Sequence, residues 1–261
     1  MPDEQTVRSA VEERIPGAPP EPHHSHDLHA DVEVEPEEGA PPVAELDPEA
    51  RERRDAALRQ VRKFGDPVLR ATAVPVERFD GALKREAERM TELMHDAIGV
   101  GLAATQLGIM HRVLVYRAYA DDADTVLVNP VLEWRSEETE LGEEGCLSLP
   151  GVHVEVERAL RVRVRARDES GKEHEVEAEG LTARVIQHEI DHLDGVLILD
   201  HISREQRKEA MREMREAVQA ERRGEDPDAP PRTADEPSPD GEASPDGELE
   251  AATAGADASA P

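Results

Sequence analysis

The chain holds a single cysteine, Cys146, among its 261 residues. One thiol excludes an intrachain disulfide and fits a reducing, cytoplasmic setting. The N-terminus has no basic start followed by an apolar stretch, so a secretory signal is not expected. No apolar run approaches the ~20 residues that cross a bilayer, and no membrane partner is expected. Positive charge is also scarce: 31 Lys and Arg stand against 60 Asp and Glu, for a net charge of -29. Such acidity disfavours direct DNA binding and adhesion to anionic lipid, because both of those partners are negative.

The acidity is concentrated at the ends. Residues 1–50 hold 14 acidic and 2 basic side chains, and residues 224–261 hold 11 acidic side chains and one Arg. Both ends are rich in Pro, Ala and Gly and nearly free of large apolar side chains, so they bury too little surface to offset the entropy of ordering them. The expected organisation is a disordered acidic arm over 1–50, one folded domain over 51–222 and a disordered acidic tail over 223–261. Four histidines in the first arm, His23, His24, His26 and His29, read as a flexible polar tract rather than a metal site.

Between the arms, the pattern predicts a short charged helix over 49–62 and a longer one capped by Asp80, with Leu83, Ala87, Met90 and Met94 on its apolar stripe. Strands are expected over 111–116, 125–128 and 131–134. Leu160, Val162, Val164 and Ala166 alternate with Arg161, Arg163, Arg165 and Arg167, and after a turn at 168–172 the period of two resumes through His174, Val176 and Ala178. This is a hairpin whose Arg row faces the row of Glu173, Glu175, Glu177 and Glu179, a solvated face rather than a nucleic-acid surface. A helix over 181–193 is apolar on much of its circumference and so lies between other elements. A short strand over 196–199 and a last charged helix over 204–222 complete the order. The fold class is α+β, with antiparallel or mixed sheet packed around a central helix.

That central helix carries His188, Glu189 and His192. Two imidazoles four residues apart stand one turn above the other on one helical face and can grip one metal ion. The carboxylate between them lies near the open coordination position, where it can take a proton from water. Cys146 is the only soft donor elsewhere. It could be an inert buried thiol or a nucleophile paired with a histidine, but ligation is the more economical reading beside such a helix. One sulfur and two nitrogens leave a fourth position open, as a catalytic site requires. Hydrolysis also needs donors for the developing oxyanion. Gln106 supplies a side-chain amide within a stretch of small and apolar residues, and the backbone N–H of Leu147 is a second candidate.

Three segments carry a specific resemblance: Gly99 to Gln106 (GVGLAATQ), Glu144 to Ser148 (EGCLS) and Gln187 to His192 (QHEIDH). In order and spacing they resemble the three signature motifs of peptide deformylase. The likeness runs over about 61–203. It implies removal of the formyl group from N-formyl-methionyl peptides and nascent chains, with Cys146, His188 and His192 as metal ligands. The metal implied is one divalent ion, Fe2+ foremost, with Zn2+, Ni2+ or Co2+ able to replace it. The resemblance makes Glu189 the general base, and Gln106 and the Leu147 N–H the oxyanion donors. It places Val100, Val185 and His188 around the methionine side chain, with Gly99 and Gly101 beside the peptide. Arg184 is expected at the rim with its charged head in water, and Asp191 as support for a ligand. His153 stands where many relatives carry Arg, near the downstream peptide. A C-terminal helix can contact the ribosome in relatives, which makes the helix over 204–222 a candidate contact. The competing classes are a zincin-like metalloendopeptidase, which normally takes its third ligand from downstream of the helix, and a catalytically inactive metal-containing binding module, whose site is normally closed by four protein ligands.

Overall fold

The computed structural model describes residues 46–223. The two acidic arms lie almost wholly outside these residues, as do the four N-terminal histidines. Helix α1, Pro48–Leu58, begins inside the segment assigned to the first arm: Asp47 accepts a hydrogen bond from the Ala50 N–H at 2.8 Å, and Pro48 occupies the first turn. Helix α2, Gly81–Asp96, is capped as expected, the Asp80 carboxylate accepting from the Ala82 N–H at 2.8 Å. Leu83, Ala87, Met90, Leu93 and Met94 form its buried stripe. Past its end Ile98 takes φ +58°, a left-handed conformation that β-branched residues rarely adopt, and turns the chain into the next strand.

Seven strands follow: β1 Gly101–Ala103, β2 Val113–Tyr116, β3 Thr125–Arg135, β4 Thr139–Cys146, β5 Leu149–Ala159, β6 Arg161–Arg167 and β7 Glu173–Glu179. They form a five-stranded antiparallel sheet in the order β1-β2-β3-β6-β7 and a separate two-stranded β4-β5 sheet. The two strands expected over 125–134 are one strand with bulges. Asn129, at φ +53°, sits at the first irregularity, and its side-chain amide accepts from the Val76 N–H and donates to the Val76 carbonyl, at 2.7 and 2.9 Å.

Helix α3, Gly180–Leu193, packs on the large sheet. Its Ala183, Ile186, Ile190 and Leu193 share an apolar cluster with Leu114, Leu127, Val162 and Val164. Met90 and Met94 of α2 share a second cluster with Val113, Val115 and Val128. The last helix, α4, Arg204–Arg222, lays Ala210 and Met214 against Val152, Val154 and Val156 of β5. No helix among the described residues is long and apolar enough to cross a membrane.

The Arg and Glu rows of β6 and β7 face each other as expected, Arg163 against Glu177 and Arg167 against Glu173. Arg165 turns instead to Glu133 of β3, so the face is a lattice over three strands. Each exposed pair is worth only about 0–1 kcal/mol. The strand expected over 196–199 is absent: Val196 and Leu197 lead into a 3-10 turn, Ile198–Asp200. Asp200 accepts from the Leu197 N–H at 2.9 Å and pairs with Arg70, so the Leu197 N–H is taken locally rather than by a sheet neighbour.

Candidate active site

Helix α3 carries His188 and His192 with their ring centroids 4.9 Å apart. Cys146 ends β4, its Sγ 3.2 Å from His192 Nε2. The candidate ligand atoms of Cys146, His188 and His192 all lie within 4.8 Å of one another. Burial pushes the Cys146 thiol up, but His192 and His188 outweigh it and hold the thiol well below its ordinary pKa. An anionic sulfur beside two imidazoles is a donor set that fits a divalent transition-metal ion.

The orientation of His188 comes from Glu144, the first residue of the EGCLS segment, to which the sequence assigned no role. Its Nδ1 lies 3.0 Å from Glu144 Oε2, which turns Nε2 toward Cys146 and His192. Glu144 precedes Cys146 by two residues at the end of β4, and the two side chains reach His188 and His192 respectively. Its carboxylate accepts two hydrogen bonds from Arg158, at 2.8 and 2.9 Å, and a third from Arg184 at 3.0 Å. Burial raises the Glu144 pKa, yet Arg158 and His188 overcome it and bring the group down to about 2. Arg158 also donates to Asp191 at 2.5 Å, and Asp191 meets His201 at 2.7 Å.

Arg184 departs from expectation. Its head is buried rather than placed at the rim, and it donates to the carbonyls of Glu140, Gly142 and Val156 at 2.8, 3.2 and 2.8 Å as well as to Glu144. The β4-β5 hairpin offers these carbonyls without other sheet neighbours, and a Cβ at Gly142 would lie 2.7 Å from the guanidinium.

Glu189 is 3% exposed, and its Oε2 is buried without a hydrogen-bond partner. Burial raises its carboxyl to about 6. Gln106 lies in the 3-10 turn Ala104–Leu107 after β1. Its Oε1 accepts from the Ala103 N–H at 2.9 Å, which aims Nε2 at Ser148 Oγ, 3.3 Å away, and at Cys146 Sγ, 3.8 Å away. Leu147 follows Cys146 in the loop between β4 and β5.

Gly99 and Gly101 border the same site. A Cβ on Gly99 would stand 3.2 Å from Leu147 Cδ1, and one on Gly101 would stand 2.9 Å from both Cγ and Cδ of Glu189. Val100 between them is 45% exposed, whereas Val185 is buried in the cluster between α3 and the sheet. His153 is exposed on β5, its Nδ1 3.6 Å from Glu143 Oε1. The close fit at Gly101 gives a sharp expectation. Gly101→Ala displaces the Glu189 carboxylate and lowers kcat by about 10²-fold, the scale of a catalytic group moved by roughly an ångström. Steady-state kinetics on the folded variant check it, and a kcat within twofold of the parent would show that Glu189 tolerates the shift.

Residues 58–208 match the family described as Polypeptide deformylase, more than half of the chain. The chain belongs to the polypeptide deformylase family. A peptide deformylase of Thermotoga neapolitana is 52% identical over 143 residues, which cover 55% of this chain and 86% of that protein. One from Acidothermus cellulolyticus is 50% identical over 164 residues, covering 62% and 88%. Among solved structures, a peptide deformylase from Legionella pneumophila superimposes with TM-score 0.60 at 39% identity, covering 62% of this chain and 96% of that one. This deformylase is therefore a hydrolase that removes the N-formyl group from nascent peptides, and its family is metal-dependent. Family membership displaces the endopeptidase and the inactive binding module as readings of the His-Glu-x-x-His helix.

Proposed function

We propose that this deformylase acts through Cys146, His188 and His192 as the holders of one Fe2+ ion, Glu189 as general base, and Gln106 Nε2 with the Leu147 N–H as oxyanion donors. The observation that carries the reading is the convergence of one thiol and two imidazoles within 4.8 Å beside a buried carboxylate. When bound, the ion supplies Lewis acidity and makes a coordinated water more acidic.

The protein's own groups account for the remaining steps. Glu189 takes a proton from the water that adds to the formyl carbon. Its raised pKa suits that exchange, because a base nearer neutrality both accepts and returns a proton. Gln106, fixed through Ala103, and the Leu147 N–H hold the negative charge that grows on the formyl oxygen. The C–N bond then breaks, formate leaves, and the proton held by Glu189 passes to the departing amine. The methionine side chain sits against Val100, Val185 and His188, with the peptide backbone along Gly99 and Gly101. The exposure of Val100 supports that path.

The expected outcome of anaerobic purification is close to one equivalent of iron per chain. The same preparation should release formate from formyl-Met peptides without cutting internal peptide bonds. Formate release with zinc in place of iron would overturn the iron assignment alone, and internal cleavage would overturn the substrate.

The lone thiol supports a reducing, cytoplasmic setting, and the two acidic arms flank a catalytic domain that opens with the Asp47 cap of α1 rather than at residue 51. A ribosome contact is proposed for α4, where Arg204, Arg207, Lys208, Arg212 and Arg215 are exposed. Salt-sensitive cosedimentation that is weakened by Lys208→Glu with Arg215→Glu would support it, and cosedimentation indifferent to that double change would remove it.

A further inference from the structure

The two oxyanion donors proposed above come from separate parts of the chain. Gln106 lies on the turn after β1, and Leu147 on the loop after β4. Between the two parts Gln106 itself makes only long contacts, to Ser148 Oγ at 3.3 Å and Cys146 Sγ at 3.8 Å. A third segment, outside every motif, joins them. The Arg62 N–H donates to the carbonyl of Gln106 at 2.7 Å. The Lys63 ammonium donates to the carbonyl of Leu147 at 2.9 Å, and the Phe64 N–H donates to the carbonyl of Ser148 at 2.9 Å. Three consecutive residues thus hold both donor-bearing segments by their backbones.

The clip is itself anchored. Val61 before it is buried, and Phe64 packs against the apolar cluster that includes Leu149 and touches Cys146. Two of its bonds are backbone N–H groups, which any residue but Pro would supply. The Leu147 bond alone depends on a side chain, and it is charge-assisted, half-buried and 84 residues distant in sequence. A carbonyl fixed by an ammonium sets the rotation of the chain just after Leu147, and Cys146 sets it just before.

We infer that Lys63 is a positioning residue: its ammonium, with the flanking N–H groups, holds the Leu147 and Gln106 donors in the relative placement that the transition state needs. It does not touch the reacting atoms. This inference rests on the assignment of Gln106 and Leu147 as oxyanion donors.

The test compares Lys63→Met, which keeps length and loses the donor, with Lys63→Arg, which keeps a charged donor. Lys84→Met serves as an exposed control far along the chain. Lys63→Met should lower kcat about tenfold with KM within twofold, less than the ~10²–10³ caused by deleting an oxyanion donor outright. Lys63→Arg should recover most of kcat. A formyl-Met peptide analogue with a tetrahedral H-phosphonate in place of the formyl group should bind more weakly to Lys63→Met in step with kcat, while binding of the deformylated product stays unchanged. Should Lys63→Met not fold, Lys63→Gln, a shorter neutral donor, takes its place with an intermediate kcat. The inference is overturned by a kcat within twofold of the parent, by equal loss of analogue and product binding, or by failure of Lys63→Arg to recover activity. Gln106→Leu, measured in parallel, keeps the two levels apart. If it is as active as the parent, the donor assignment itself falls; if it is inactive while Lys63→Met is normal, only the clip falls.

Discussion

Glu189→Gln should leave the protein folded and loaded with its metal while kcat falls by about 10³-fold, within the range attributed to a positioned general base. The amide matches the carboxylate in size, so the cavity beside Gly101 remains filled and α3 keeps its packing. What it loses is the ability to accept a proton. Glu189 Oε2 has no protein partner to lose, so little stability goes with it. Formate release, metal content and thermal melting measured on one preparation check the prediction. Retention of a tenth or more of kcat would move the base to another group, and loss of metal would show that the carboxylate also supports the ligands.

Arg158→Leu should have the largest effect on the fold, about 3 kcal/mol of destabilisation. Arg158 and Glu144 are both nearly enclosed, at 6% and 4% side-chain exposure. Removing the guanidinium strands a carboxylate away from water, and breaking one half of a buried pair costs more than replacing both halves. Arg184 and His188 still reach Glu144, which keeps the cost at the lower end of the usual range for such breaks. Asp191 also loses a partner and keeps His201. Because Glu144 holds His188, metal affinity should drop by about 10–100-fold, the usual toll of losing support behind a ligand. Denaturant melts and competitive chelation measure the two effects. Arg158→Leu combined with Glu144→Gln should be less destabilised than the sum of the single changes, since the stranded charge is then gone. Strict additivity would mean that the two groups do not act as a pair.

The parts of this architecture that were legible in the sequence are those set by short-range order. Asp80 announces α2 because a cap and an apolar period adjoin, and the β6-β7 hairpin shows itself through strict alternation of Arg and Glu with Val and Ala. His188, Glu189 and His192 are readable because helical geometry fixes their mutual placement, and Cys146 because no other thiol competes. The β4-β5 hairpin was missed. Its first strand, TELGEEGC, has two glycines and three glutamates and shows no alternation of apolar with polar residues. Its inner face is instead satisfied by Arg184, a side chain from another element.

Glu144 carried a usable signal, an acid two residues before a ligand on a strand. Its arginine partners did not, for they arrive from β5 and α3 through long-range folding. Lys63 carried no signal, since its importance lies wholly in what folding brings within reach. At 196–199 the apolar run pointed to a strand, and the Asp200 cap overruled it locally.

The bidentate grip of Arg158 on Glu144 has a consequence for how the enzyme acquires its ion. Glu144 turns the His188 imidazole without the help of an ion, so one of the three proposed ligands is oriented before any cation arrives. On the proposed ligand set, an imidazole preset in this way serves one divalent ion as well as another and gives no preference for iron over zinc.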